Sequence, residues 1–409
     1  MPAPLEGLRV IDFTRVLAGP HCTKALRDLG AEVTKIEPPA GDLGRVGLPH
    51  VNGLGLYYVQ QNAGKRNLSL DLNYAEARAI VTDMCREADV IVENFRPGTL
   101  ARFGLGYEDV RAINPRIVYV SLSGYGQSTS WRNRPAFAPT VQAETGLTAI
   151  VQTHFGEALS EPRGDACSHA DVYTGLQGVI AVLAALQHRN NTGEGQHVDV
   201  SMAATMLSVN ERAGALLSGI DTDGEPIALS ANESHIFEMS DGTRLTIAGS
   251  PIYSPMFTRY CAMMRRNDLL KDPRYATANL RRKNLSSLLA EVRAWLGTFD
   301  DLGQLQAQVS EGGLAVGQIR SVNEFGGSDW VKEWNAVVDI DDRAGGTVRM
   351  PGNPWIFSRS ELPVPGAPAF QGEHNEEILM ERKLSADEIA DLKKRKVLLS
   401  RRGPFGNFD

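Results

Sequence analysis

The first 130 residues alternate short apolar runs with amphipathic helical patterns, and this alternation restricts the possible folds more than any other feature. The runs predict strands at 8–13, 32–36, 67–72, 89–92 and 117–121, with helices at 21–29 and 74–88 and a short helix before the last strand. Repetition of strand and helix indicates an α/β fold with a parallel sheet covered by helices on both faces. Such sheets bind ligands at the carboxyl ends of their strands.

The remainder of the chain has a different organisation. A long apolar helix is expected at 172–189, then a strand at 197–200 and a helix near Met202. Hairpin-like pieces around Asp241 and charged helices follow, which indicate a smaller α+β domain. The Pro-rich stretch 351–368 is typical of a surface linker, and Ser385 with Glu388 predicts a capping box for a last helix at 385–397. We therefore expect a large domain at 1–220, a small domain at 221–330, and a linker and C-terminal segment at 331–409 that returns to the large domain.

Composition excludes several classes of function. The net charge of -7 over 409 residues argues against broad nucleic-acid binding, although a local basic patch can still hold a phosphate. The four cysteines lie far apart, without metal-ligand spacing, and we expect reduced thiols and a cytoplasmic location. Neither a signal peptide nor a run of about 18 apolar residues is visible, so we expect no membrane span and no metal site.

Asp171 is the leading candidate for chemistry, because it stands where the long apolar helix is expected to begin. An ionised carboxylate can open an acyl-thioester when the site supplies orientation and charge stabilisation. On pattern alone, an Asp at this place is more often a helix N-cap. The two interpretations are compatible, since a helix N-terminus should lower the pKa of the carboxyl. The roles of His169, a possible base, and Asp165, a rival carboxylate, stay open.

Three further segments have the character of ligand loops. The turn from Phe13 to Pro20 offers backbone N–H groups to an oxyanion. Lys65 and Arg66 precede a strand and could meet phosphates, and the polar run 93–100 follows a strand, with Arg102 just beyond it. Taken singly, the first segment is better explained as an ordinary strand-to-helix turn, and the second fits a solvated strand end equally well. For the third, a surface turn with an exposed Arg102 is favoured. No GxGxxG run is present, which disfavours a nicotinamide enzyme.

Taken together, these segments resemble the class III CoA-transferase family, which includes formyl-CoA transferase and the carnitine CoA-transferase. The resemblance spans nearly the whole chain and is weak only at 205–345. It is carried by segments 5–14, 29–39, 64–72, 92–98, 114–119, 123–126, 170–175, 192–201 and 372–375.

The resemblance implies a Rossmann-like large domain that binds CoA, a small domain, and two interlocked chains, with a heteromeric assembly as the alternative to a homodimer. It also implies that Asp171 is the nucleophile and forms an aspartyl-acyl anhydride, with the backbone around Leu17 and Ala18 over the reacting carbonyl. Acyl-CoA is then a substrate, no cofactor is bound permanently, and a carboxylic acid is the acceptor. The residues expected to contact CoA by motif are Leu72, Asn94, Phe95 and Arg102.

Departures from formyl-CoA transferase indicate a different substrate. Leu17 replaces a Gln, Ala138 replaces a Glu, and 248–251 has too few glycines for the lid loop. We therefore expect a roomier acceptor pocket than that of formyl-CoA transferase. Such a pocket would suit succinyl-CoA with a larger or dicarboxylic acceptor. One alternative is an α-methylacyl-CoA racemase, but Phe137 stands where a racemase needs a proton-transferring His. Another is an acyl-CoA-binding subunit of a heteromeric transferase.

Overall fold

The computed structural model describes residues 1–155, 166–211, 213–219 and 235–403, which fall into two compact units. The first comprises 1–213 and 330–409, and the second comprises 214–329. Numbered in chain order, the elements of the first unit are β1 Arg9–Asp12, α1 Ala18–Asp28, β2 Glu32–Glu37, β3 His50–Val51, β4 Leu54–Gly55, α2 Leu56–Asn62, β5 Arg66–Ser69, α3 Ala75–Glu87, β6 Val90–Glu93, α4 Tyr107–Ile113, β7 Val118–Ser123, α5 Ala138–Glu144, α6 Leu147–Phe155, α7 His169–Thr192, β8 Gln196–Ser201, α8 Met202–Val209, α15 Asp329–Trp334, β12 Val337–Asp341, β13 Thr347–Pro351, α16 Asn375–Glu381 and α17 Ala386–Lys394.

A six-stranded parallel sheet organises the first unit, which confirms the expected mixed α/β architecture. Its strand order is β5-β2-β1-β6-β7-β8, so the chain moves outward from β1 in one direction and then continues from β6 in the other. The loops that follow β1 and β6 therefore diverge at the carboxyl edge and leave a crevice between them. Doubly wound sheets bind their ligands at this type of reversal.

Apolar side chains alternate between the two faces of the sheet and bury a helical layer on each. Val10 and its neighbours on one face pack against α1 and α7. Ile11 and the matching residues of the other strands pack against α3, α4, α16 and α17. Period-2 alternation within strands that are buried on both faces explains why the strands could be located from apolar runs.

The C-terminal segment packs against the edge strand β5. The Asn375 side chain accepts a hydrogen bond from the Ser69 backbone N–H (2.8 Å) and donates to the Leu399 carbonyl (3.0 Å). The Asn67 side chain accepts from the Gly372 N–H at 2.6 Å. Ser385 caps α17, and its reciprocal hydrogen bonds with Glu388 confirm the predicted capping box. Residues 371–399 are thereby fixed to the sheet.

The second unit is a smaller body of the α+β type with its own core. Its elements are α9 Ala213–Ser218, β9 Ile236–Glu238, β10 Arg244–Ile247, α10 Ser254–Met263, α11 Ala278–Lys283, α12 Leu285–Leu296, α13 Leu302–Glu311, β11 Val316–Gln318 and α14 Val322–Gly326, with α9 and α15 at the unit boundaries. The three strands form an antiparallel sheet in the order β11-β10-β9. The hairpin and both charged helices expected from the sequence are present in this unit.

Helix α7 is the one candidate membrane span among the described residues, by length and hydropathy only. However, 44% of its apolar window is buried inside the fold. Its buried side chains belong to the core shared with α1 and the sheet.

Candidate functional site

A cavity of about 390 Å³ opens at the carboxyl edge of the parallel sheet. It lies where the loops after β1 and β6 diverge, and it is closed by the end of β7 and the start of α7. Its lining residues are Arg15, Val16, Ala18, Leu43, Asn94, Phe95, Arg96, Pro97, Leu122, Ser123, Gly124, Arg132, Arg134, Pro135, Ala136, Phe137, Asp171 and Met202.

Asp171 lies in the first turn of α7 and lines this cavity, but it does not cap the helix. Ser168 occupies the N-cap position, which places Asp171 at the third helical position. Burial raises the pKa of Asp171 to about 6, and a hydrogen bond from the Ala18 backbone N–H acts in the opposite direction. The expectations of an N-cap and of a lowered pKa are therefore wrong. Loss of water around the carboxylate outweighs the favourable helix terminus, and the group stays largely ionised at neutral pH.

Two helix N-termini meet at this carboxylate because glycine lets α1 and α7 approach closely. A Cβ atom on Gly175 would lie 2.7 Å from the Ala18 carbonyl oxygen, and one on Gly178 would lie 3.0 Å from the Cys22 Sγ. Ala18 is the first residue of α1, so its N–H has no partner within that helix. The close packing thus directs an otherwise unpaired N–H at Asp171.

The loop that carries Ala18 is held in a strained conformation. Val16 has φ 68°, the left-handed region that β-branched residues rarely adopt. Its N–H donates to Asp42 Oδ1 at 2.9 Å. The Asn94 side chain accepts from the Arg15 N–H (2.8 Å) and donates to the Arg15 carbonyl (2.9 Å). These hydrogen bonds fix the backbone at Arg15 and Val16. A strained conformation persists only when surrounding contacts hold it in this way.

A network of buried charges lies beneath this loop. Asp12 Oδ2 is 3.0 Å from Lys65 Nζ, and Asp42 Oδ2 is 3.0 Å from Lys35 Nζ. Lys35 also donates to the Thr14 carbonyl at 2.6 Å. Burial alone would raise the pKa of Asp12, but Lys35 and Lys65 hold that pKa well below its usual value. The backbone of the loop is therefore attached to ion pairs in the interior of the sheet.

Lys65 and Arg66, both expected to bind the cofactor phosphates, point elsewhere. Lys65 is buried and donates to Asp12 (3.0 Å), Thr23 (2.8 Å), Asn62 (2.8 Å) and the Pro20 carbonyl (3.1 Å). Burial lowers the pKa of its ammonium to about 8, against the raising effect of Asp12. A cation with four protein partners and no solvent access cannot meet a phosphate, so this expectation is wrong.

Arg66 begins β5 and therefore lies at the amino edge of the sheet, away from the cavity. Its guanidinium pairs with Glu377 at 2.9 Å and with Glu381 at 2.8 Å. The structure thus places Arg66 at the opposite end of the strand from the ligand crevice, and its contact with a phosphate stays a prediction.

Only some of the other expected residues line the cavity. Ala18, Asn94 and Phe95 line it together with Asp171. Leu17 is buried at the N-cap of α1 and is not part of the lining. The Leu72 side chain follows β5 and packs in the same core as that of Phe95. Arg102 is exposed on the 3-10 turn Ala101–Phe103.

Four arginines of the cavity were not singled out from the sequence. They are Arg15, Arg96, Arg132 and Arg134. Arg15 and Arg96 belong to the predicted ligand-loop segments 13–20 and 93–100, but Arg132 and Arg134 lie in a polar stretch without periodicity. The guanidinium of Arg134 lies 4.1 Å from the centre of the Trp131 ring and pairs with Glu144 at 2.7 Å. The lining of the cavity therefore combines one half-buried carboxylate, that of Asp171, with several cations.

Tyr57 was also missed. Burial raises the pKa of its phenol to about 12, and the charges of Asp171 and Asp42 add to this effect. His169 starts α7 and stacks on Tyr173 with ring centres 5.5 Å apart. Asp165 lies outside the described residues. Phe137 lines the cavity and carries no titratable group.

Similarity to known proteins covers nearly the whole chain. The model of CoA-transferase family III matches residues 5–375. Succinyl-CoA:mesaconate CoA-transferase of Haloarcula hispanica is 33% identical over 92% of this chain and 96% of the relative. The beta subunit of succinyl-CoA–L-malate CoA-transferase of Chloroflexus aurantiacus is 30% identical over 97% and 98%.

A solved structure shares the fold as well. The crystal structure of a CAIB/BAIF family protein from Brucella suis superposes with a TM-score of 0.76 at 31% identity, and the match covers 93% of this chain and all of that one. The chain therefore belongs to CoA-transferase family III and is a transferase that acts on CoA thioesters.

Proposed function

We propose that this enzyme moves CoA from succinyl-CoA to a carboxylic acid through an anhydride on Asp171. The observation that carries the proposal is the Asp171 carboxylate, which is half-buried at the wall of the cavity and accepts a hydrogen bond from the Ala18 N–H. The partly desolvated carboxylate is a better nucleophile than a hydrated one. The two relatives named above act on succinyl-CoA and dicarboxylic acids, which supports this choice of donor.

The reaction proceeds by three acyl-transfer steps. Each step keeps the acyl group activated, and so no ATP is required. A carboxylate oxygen of Asp171 attacks the thioester carbonyl, the C–S bond breaks, and CoA thiolate leaves an aspartyl-acyl anhydride. The acceptor carboxylate attacks the aspartyl carbonyl and releases the donor acid. The thiolate then attacks the acceptor carbonyl, which forms the new thioester and returns Asp171. The backbone at Leu17 and Ala18 is the proposed stabiliser of the oxyanion in each step.

The Rossmann-like character of the CoA-binding domain is part of the proposal. Counted along the chain, the six strands of the sheet stand in the order 3-2-1-4-5-6, which is the order of dinucleotide-binding sheets. We place the CoA chain along Asn94 and Phe95, with Arg96, Arg132 and Arg134 at the rim and Arg102 and Leu72 beyond it. Guanidinium groups are suited to the phosphates of CoA.

A homodimer of interlocked chains in the cytoplasm completes the proposal. Helix α7 exposes Leu176, Ile180 and Leu183 on one face, with 39%, 58% and 40% of their surfaces accessible. Apolar residues at helical spacing on a surface suggest contact with another chain. The Chloroflexus relative is named as a beta subunit, and so a heteromeric assembly is the second candidate. The racemase alternative is disfavoured because Phe137 offers no proton-transferring group.

The proposal is tested by trapping the anhydride. The purified chain is incubated with succinyl-CoA and hydroxylamine, and the peptides that contain Asp171 are sequenced by fragment mass spectrometry. A hydroxamate on Asp171 that requires the thioester is expected, together with release of CoA thiol. Absence of both across a panel of acyl-CoA donors would contradict transferase activity of the isolated chain. If activity is restored by a co-expressed homologous subunit, the heteromeric candidate is correct.

The rate of thiol release should depend on pH through Asp171. Because burial raises the pKa of Asp171 to about 6, the nucleophile is protonated below that pH and ionised above it. We expect kcat/KM for succinyl-CoA to be constant above pH 7 and to fall about tenfold per pH unit below pH 6. Thiol release without acceptor is the suitable measurement, since it avoids titration of the acceptor acid. An acid limb near pH 4 would show that the carboxylate is hydrated in the free enzyme.

A further inference from the structure

Arg15 is the one cation of the cavity that the surrounding loops immobilise at three points. Its backbone N–H and carbonyl are both bound by the Asn94 side chain, and its Nη2 donates to the Gly41 carbonyl at 3.1 Å. Arg96 and Arg132 are exposed, and the side chain of Arg134 is 43% accessible. Arg15, by contrast, is half-buried. The loop thus fixes a cation inside the cavity, whereas the other three stand at its rim.

The charge of Arg15 is not neutralised within the part of the chain that the structure describes. No carboxylate lies within ion-pair distance of its guanidinium there, and its buried Nε has no hydrogen-bond partner. A partly buried cation without a partner is costly. An anion bound in the cavity would supply the missing partner, and this is a common reason for such an arrangement at a ligand site.

Asp171 does not serve as that partner. The shift of its pKa arises from burial and from the Ala18 N–H, with no contribution from an arginine. Arg15 therefore stands apart from the nucleophile while it lines the same cavity and precedes Ala18 by three residues. A ligand that reacts at Asp171 and extends toward Arg15 would present its far end to the guanidinium.

We infer that Arg15 binds the distal carboxylate of a dicarboxylic substrate whose other carboxyl group reacts at Asp171. The inference rests on the proposed function and adds a specificity determinant to it. A small carboxylate suits a half-buried cation at the wall of the cavity, whereas the solvated phosphates of CoA suit the exposed arginines at the rim. Monocarboxylic acyl groups would leave Arg15 unpaired, and so the enzyme discriminates against them.

The test compares donors of equal length that differ only in the distal carboxylate. Thiol release is measured with succinyl-CoA against butyryl-CoA, and with glutaryl-CoA against pentanoyl-CoA. We expect the wild-type protein to favour the dicarboxylic member of at least one pair by about 10- to 100-fold in kcat/KM. In Arg15→Gln, which can still donate to Gly41, the ratio should fall to within about threefold of unity, and Arg15→Lys should give an intermediate ratio.

The controls separate recognition from damage to the fold. Arg111→Gln removes an exposed arginine of α4, whose side chain is 57% accessible, and should leave both ratios unchanged. If Arg15→Gln lowers all four rates equally and keeps the ratio, Arg15 is only a structural part of the loop and the inference is wrong. A wild-type protein that releases thiol from no donor overturns the proposed function and this inference together. A wild-type protein that is active but does not discriminate overturns this inference alone.

Discussion

Replacement of Asp171 by Asn is expected to lower the rate of CoA transfer by at least about 10³-fold, because an amide cannot form the anhydride. The substitution preserves the shape of the side chain and removes a charge that burial destabilises. We therefore expect the unfolding midpoint to stay unchanged or to rise slightly. The measurements are the steady-state rate of acyl-CoA formation and the hydroxamate yield at position 171.

Two further variants make this result specific. Asn at position 171 can slowly deamidate to Asp and restore activity, whereas Ala cannot. Asp171→Ala should therefore be at least as inactive as Asp171→Asn. Asp83→Asn is the matched control, since Asp83 is a carboxylate of α3 whose side chain is 56% accessible and lies far from the cavity lining. Substantial transfer activity in both Asp171 variants would mean that another group is the nucleophile, and the proposed mechanism would fail.

The second large effect is expected on stability. Asp12→Asn leaves Lys65 buried without its carboxylate partner, which lies 3.0 Å from Lys65 Nζ. It also removes one of the negative charges near Lys35, which keeps its ion pair with Asp42. Removal of one partner from a buried ion pair costs about 3–5 kcal/mol of unfolding free energy. Urea denaturation followed by circular dichroism at pH 7 measures the loss, with the transition of the first unit as the readout.

An exposed ion pair supplies the comparison. Glu87 pairs with Arg9 at 2.9 Å and with Arg382 at 3.0 Å, and its own side chain is 53% accessible. Glu87→Gln should change the unfolding free energy by less than about 1 kcal/mol. Equal effects of Asp12→Asn and Glu87→Gln would show that the buried network contributes nothing beyond an ordinary surface pair.

Periodicity in the sequence was sufficient to predict the parallel sheet. Strands buried on both faces produce apolar runs, and the helices between them produce a 3.6-residue pattern, so both signals are local. The start of α7 was harder to predict, because it depends on the N-cap. The helix begins at His169 and not after Asp171, which changes Asp171 from a capping residue into one that faces the cavity.

The chemical state of the site depends on contacts between distant residues, and these were beyond prediction from the sequence. The pKa of Asp171 is set by packing against α1, which lies about 150 residues earlier in the chain. Lys65 and Arg66 are adjacent in the sequence, yet one enters the interior toward Asp12 and the other pairs with α16 at the sheet edge. Arg132 and Arg134 belong to no periodic pattern, so only the fold reveals that they reach the cavity.

Valine at position 16 restricts the conformations of the loop that carries Ala18. Glycine would adopt the left-handed conformation without strain, but it would also allow the loop many other conformations. Val16 has fewer alternatives, and the bonds from Asp42 and Asn94 hold it in the strained one. The N–H groups beyond it are therefore preorganised. In the proposed mechanism, an arriving thioester would meet donors that are already oriented, and its binding energy would remain available for the chemical step.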